Sequence, residues 1–181
     1  MASSFWLSSA PLLVMLVVAA IIDGRHRRIP NWLTVTLMLS GLAQSFTAIH
    51  LTRPSMAALG ILAGFVLMLG QFALGGLGGG DVKLLMGVGA WVGPLPLLAV
   101  FAGASIVGMI IVITQALWQG RFKILLNNSA VVAVNLAHLK QVGVEHAIAT
   151  GQSCRSVDRP LPYAVPVLLA TVVFIGLQGV L

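Results

Sequence analysis

Apolar and polar positions alternate along this chain in long blocks rather than at every second or fourth residue. Apolar runs cover roughly residues 5–22, 32–49, 55–74, 82–92, 97–117 and 160–181, with short polar breaks between them. A bilayer's hydrocarbon core takes about 20 apolar residues as helix, so most of these runs predict membrane-crossing helices. The run from Val82 to Val92 is short for a crossing and meets Gly93-Pro94-Leu95-Pro96. Pro30 stands just before the second run, where its missing N–H costs least. Pro166 falls inside the last run and predicts a kink there. Residues Ile124 to Val142 are apolar with Asn127, Asn128, Asn135, His138 and Gln141 interspersed. That mixture predicts a helix lying on the membrane surface.

Composition sharpens this picture. Of 181 residues, 59% are apolar and 8% charged, with a mean hydropathy of +1.04. A soluble domain carries about 25% charge, so the chain reads as an all-α polytopic membrane protein and a single domain over 1–181. The net charge of +6 would suit nucleic acid, but the cations lie in the breaks between apolar runs and not along one face. They are read as topology determinants, with no nucleic-acid partner. Arg25, Arg27 and Arg28 follow the first run instead of preceding it, which predicts a retained anchor whose start lies outside. With six crossings, the inside loops are about 23–31, 75–83 and 118–160. These hold nine of the ten cations and leave Arg53 outside. Fusing the fourth and fifth runs would carry Arg121, Lys123, Lys140, Arg155 and Arg159 across the membrane, against the positive-inside rule. Six crossings with a short or tilted fourth helix are therefore expected. Trp6, Trp32, Trp91 and Trp118 lie near predicted helix ends, as interfacial anchors do.

Only four carboxylates occur: Asp23, Asp81, Glu145 and Asp158. The last two fall in the long polar loop. Asp23 and Asp81 stand at the edges of apolar runs, and the topology puts both at the inside face. An acid near a membrane is costly and is by default a functional candidate. Asp23 ends the first run, where the helix dipole disfavours an anion, and Asp81 precedes the fourth, where it favours one. Two adjoining carboxyls then settle as one protonated and one ionised group, titrating as a unit. That is the asymmetry an aspartic protease uses, with Asp81 assigned as the base.

Gly75-Gly76-Leu77-Gly78-Gly79-Gly80 precedes Asp81. This cluster is neither a phosphate-binding loop, since Asp81 stands where lysine would follow, nor a complete dinucleotide fingerprint. Gly60/Gly64, Gly75/Gly79, Gly76/Gly80 and Gly89/Gly93 have the four-residue spacing that lets helices approach closely in membranes. His26, His50, His138 and His146 have no metal-binding spacing, and the single Cys154 makes neither a disulfide framework nor a four-cysteine zinc site. Neither a metal nor a cofactor is expected.

Gly78-Gly79-Gly80-Asp81-Val82-Lys83-Leu84 resembles the GxGD signature of the type IV prepilin peptidases. Asp23, followed by Arg25-His26-Arg27-Arg28-Ile29-Pro30-Asn31, resembles the first aspartate motif of that family. Leu161-Pro162-Tyr163-Ala164-Val165-Pro166 resembles the start of its last helix. The resemblance implies a polytopic aspartic endopeptidase of the bacterial inner membrane that cuts leaders from prepilins or pseudopilins at the cytoplasmic side. It carries Asp23 and Asp81 over as the catalytic pair. Gly78, Gly80, Lys83, Pro30 and Asn31 carry over as motif and supporting residues. Larger members have an N-terminal domain with paired CxxC motifs and methylate the new N-terminus. This sequence is similar to the small form of tight-adherence (Flp-type) pili, and peptidase activity without methyl transfer is expected. The implied partners are a prepilin and membrane lipid. A different class remains open at this point: a non-catalytic pilus or secretion assembly component, or a small proton-coupled transporter.

Overall fold

The computed structural model describes residues 2–47, 51–73, 78–137 and 162–180. Among these residues every regular element is a helix: α1 (Ala2–His26), α2 (Asn31–Gln44), α3 (Pro54–Ala73), α4 (Gly79–Val92), α5 (Pro94–Trp118), α6 (Phe122–Ala137) and α7 (Ala164–Val180). The expected all-α class is what the chain adopts. Ser8–His26, Pro54–Phe72 and Pro94–Trp118 are long and apolar enough to cross a membrane, and Ala164–Gln178 is a shorter apolar helix. The helices α2 and α4 have 14 residues each, about 21 Å at 1.5 Å per residue. Their apolar runs are trimmed by neighbours that fix where each helix starts and stops.

The short fourth helix is the centre of the bundle. It packs on α2 and α3, and Val82, Leu84, Leu85, Gly87, Val88, Gly89, Ala90 and Trp91 are all buried. Glycine allows this crowding. A Cβ on Gly60 of α3 would collide with the carbonyl oxygen of Gly89, and one on Gly89 would collide with the carbonyl oxygen of Gly60. Gly64 meets the Met86 backbone, and Gly87 accommodates Leu37 of α2. Of the spaced glycine pairs, Gly60/Gly64 thus provides a real helix contact, while Gly75 and Gly76 lie outside the described residues. A second layer has α7 between α1 and α5, with Gly103 of α5 against Ala170 of α7.

The expected break between the fourth and fifth runs is present. Gly93 has φ +85°, a left-handed conformation that a side chain rarely adopts, and Pro94 opens α5 at its first position. The first polar break is equally specific. Arg27 has φ +55°, and its N–H bonds to the Asp23 carbonyl at 2.8 Å, which closes α1 with a left-handed cap. Pro30 then caps α2.

Two expectations require correction. Pro166 does not kink a helix interior. The helix begins at Ala164, so Pro166 lies in its first turn, where N–H groups have no intrahelical acceptor. Trp91 is not an interfacial anchor. It is 3% exposed, and its indole N–H donates to the Leu37 carbonyl at 3.0 Å. A wholly apolar partner would leave that N–H unpaired. Trp32 and Trp118, at 62% and 87% exposure, keep the anchor pattern, and the Trp6 side chain lies outside the described positions. Of the stretch 124–142, expected as a surface helix, residues 124–137 are helical, as part of α6. Residues beyond it in the long loop, with His138, His146, Glu145, Cys154 and Asp158, lie outside the described residues.

Candidate active site

Four helix ends meet at one end of the bundle: the C-terminus of α1 and the N-termini of α2, α4 and α7. Three contacts tie them together. The Ala164 N–H of α7 donates to Asp23 Oδ2 of α1 at 3.1 Å. Lys83 Nζ of α4 donates to Asn31 Oδ1 of α2 at 3.0 Å. Gly80 of α4 lies flat on the linker before α2, where an added Cβ would stand 3.2 Å from Ile29 Cβ and 3.3 Å from the Ile29 carbonyl oxygen. A side chain at Gly80 would press on Ile29, which is buried beneath it and would have to give by a few tenths of an ångström.

Asp23 is 5% exposed. Burial of a carboxyl is tolerated where it is hydrogen-bonded, and the α7 N-terminus provides that bond. The Arg27 guanidinium also lies close enough to act on it. The sequence placed Asp23 at an unfavourable helix C-terminus alone. The fold adds a helix N-terminus from 141 residues away, and its free N–H groups favour an anion. Asp23 thus stands in the last turn of α1 as expected and meets the start of α7 as well, which lessens the dipole contrast expected between the two aspartates.

Asp81 sits in the first turn of α4, not before the helix, and ahead of the apolar stretch that starts at Val82. Its Oδ2 accepts the Gly78 N–H at 3.1 Å. In return the Asp81 N–H donates to the Gly78 carbonyl at 3.1 Å. Gly78 has no side chain, so its own carbonyl takes the part of a capping oxygen. Asp81 is partly exposed. Burial pushes its carboxyl up, the Gly78 N–H offsets part of this, and the Asp23 charge raises it further, to about 6. The charge of Asp23 is felt at Asp81, as expected of two carboxyls at the same end of the bundle.

Every residue singled out in the sequence is thus at this end: Asp23, Asp81, Gly78, Gly80, Lys83, Pro30 and Asn31. Lys83 engages Asn31, not an aspartate. Tyr163 and Ala164 complete the site and were not chosen as site residues from sequence. Tyr163 is the single tyrosine of a chain rich in aliphatic residues, a signal that points to it only once the fold brings it beside Asp81. Among the described residues no cluster of His, Cys, Asp and Glu could hold a metal ion.

Fold and site together define an all-helical bundle of membrane type with an aspartate pair at one end, one member in a glycine-rich helix start. Residues 10–113 match the model of the Type IV leader peptidase family, and the chain belongs to that family. It is 34% identical over 103 residues to a prepilin leader peptidase/N-methyltransferase of Xanthomonas campestris pv. campestris, covering 53% of this chain and 36% of that protein. It is 35% identical over 92 residues to one of Klebsiella pneumoniae, covering 45% and 39%. It is also 32% identical over 102 residues to a type 4 prepilin-like proteins leader peptide-processing enzyme of Escherichia coli O78:H11, covering 52% and 38%. The match spans little more than a third of each of these relatives. No solved structure matches the chain.

Proposed function

We propose that this chain, as one domain over 1–181, is an aspartic endopeptidase that removes leaders from type IV prepilins or pseudopilins. It acts at the cytoplasmic edge of the bacterial inner membrane, with six crossings and its start outside. Family membership supports the reaction class. The observation that carries the mechanism is the convergence of Asp23 and Asp81 where four helix ends meet. A prepilin presents a basic leader and then an apolar helix, so its scissile bond falls at the membrane edge. Acids placed at helix ends suit that bond. A proton relay across the membrane would want acids nearer the middle of the bilayer.

Asp81, the more open of the pair, is the one that water reaches, and a base tuned near 6 is ionised at neutral pH. It takes a proton from the attacking water as the water oxygen bonds to the scissile carbonyl carbon. The pair titrates as a unit around one proton, which is assigned to Asp23, the deeper member, and passes from it to the carbonyl oxygen. Collapse of the resulting diol breaks the C–N bond. The amine leaves with the proton that Asp81 took, and a diol proton returns to Asp23. The Lys83–Asn31 bond and the Gly80–Ile29 contact hold α4 in register with the end of α1. No metal or cofactor takes part.

The test uses the full chain in detergent with a prepilin. Wild type shortens the pilin, whereas Asp23→Asn and Asp81→Asn each lose at least about 100-fold in rate. Normal processing by either variant would remove that aspartate from the mechanism.

A further inference from the structure

The backbone N–H that holds Asp23 belongs to Ala164, and the preceding residue, Tyr163, carries a hydroxyl. Its phenolic oxygen is buried and has no hydrogen-bond partner among the described residues. A buried hydroxyl without a partner destabilises a fold, and native chains rarely retain one without cause. The surroundings make the cause specific. Ala164 and Val167, on the same helix start, are fully buried, while the Tyr163 residue as a whole is partly exposed although its hydroxyl oxygen is not. The charge of Asp81 reaches the phenol, and that of Asp23 reaches Asp81. Tyr163 is thus next in the chain to the N–H that holds Asp23 and within reach of the Asp81 charge, yet its hydroxyl is bonded to neither carboxyl.

A donor kept unpaired beside a reactive pair fits a group that appears only when substrate arrives. Donors of this kind are aimed at where charge develops in the transition state and not at a resting partner. Resting on the peptidase reading, we propose that the Tyr163 hydroxyl donates a hydrogen bond to the carbonyl oxygen of the scissile peptide, as a third catalytic group beside Asp23 and Asp81. The bond strengthens as that oxygen gains negative charge, and no covalent bond to Tyr163 forms or breaks. Burial, and then the charge of Asp81, push the phenol up. It therefore stays protonated, as a donor must, throughout the range in which the aspartates titrate.

Tyr163→Phe tests this, because it deletes the oxygen and keeps the ring. The full chain in detergent is given a prepilin, and kcat, KM and Tm are measured for wild type and variant. The expected result is a fall in kcat of about 10- to 100-fold, below the 100- to 1000-fold of a dominant oxyanion donor because Asp23 serves the same oxygen. KM changes less than about twofold, since the bond is made mainly in the transition state. Tm is unchanged or higher, because an unpaired hydroxyl has been removed from the interior. An unchanged kcat overturns the proposal. So does a lowered Tm, which would mean that the hydroxyl bonds within the resting fold. A wild type that leaves the prepilin intact overturns the peptidase reading, and the donor with it. A cleaving wild type beside an equally active Tyr163→Phe overturns the donor alone.

Discussion

Asp23 and Asp81 each accept one backbone N–H from a helix start, Ala164 for the first and Gly78 for the second. Such bonds fix a carboxyl's direction more tightly than charge alone, so length matters as well as acidity. Asp23→Glu and Asp81→Glu move the carboxyl by roughly an ångström, and a displacement of that size costs on the order of 100-fold in turnover. Near-normal cleavage by either variant would mean that charge suffices. The pH dependence follows from Asp81. With its carboxyl held up to about 6 chiefly by burial, the base is protonated below that pH and ionised above it. The rate therefore rises as pH increases through about 6. A limb near the ordinary carboxylate value of about 4 would remove burial from the account. Lys83 acts at a remove. Lys83→Met deletes its bond to Asn31 and keeps most of the apolar stem. A partial loss of turnover is expected, smaller than either Asp→Asn loss, and processing assays on the three variants would rank them.

Helix α4 illustrates why the element scale has its own rules. Eight of its 14 residues are buried, and the enclosure depends on backbone meeting backbone at Gly60 and Gly89. A side chain at either position forces α3 and α4 apart. Gly60→Ala or Gly89→Ala is therefore expected to cost about 1–3 kcal/mol, the range for overpacking, as a lowered unfolding temperature in detergent. Gly70, with open space around it, is the control, and Gly70→Ala should leave stability unchanged or slightly raised. The same comparison separates packing from helix propensity, since all three changes favour a helix locally. Pro166 belongs to this scale too. In the first turn of α7 it removes no intrahelical bond, so its effect is to preset the backbone that presents the Ala164 N–H.

For the whole molecule, the decisive feature is that the aspartates share one end of the bundle. At the opposite end, Gln44 Nε2 donates to the Trp91 carbonyl at 3.4 Å and Gln44 Oε1 accepts the Leu51 N–H at 2.9 Å. Gly93 lies there against Thr52 and Met56. Large apolar side chains such as Val14, Ile21, Leu62, Val66, Ile106, Met109 and Val173 are exposed on the outside, as a lipid-facing surface requires. If the aspartate end is cytoplasmic, positions near it are shielded from an impermeant thiol reagent in intact cells and positions near Arg53 are open. In a Cys154→Ser background, Arg53→Cys should label and Arg28→Cys should not. The reverse pattern would invert the topology.

Much of this was legible in order of residues alone, and the reason is physical. A bilayer-length apolar run must be helical, because its backbone groups can find partners only within the helix. Acids and cations therefore collect in the breaks, which is why Asp23, Asp81 and the glycine-rich GxGD turn stood out. Gly93-Pro94 marked the end of α4 for the same local reason. What the order of residues left open depended on neighbours far along the chain. The Asp23–Ala164 bond joins residues 141 apart, and no spacing rule specifies it. It set a helix start beside an aspartate that still ends α1, a partner the local pattern could not supply. Trp91 looked like an anchor until Leu37 supplied an acceptor inside, and Tyr163 stood only in the block resembling the family's last helix, with no site role, until the fold brought it within reach of the Asp81 charge. Local chemistry set which segments are helices and where the acids stand. Only packing decided which helix ends meet, because that choice depends on glycine-lined surfaces fitting together across the whole bundle.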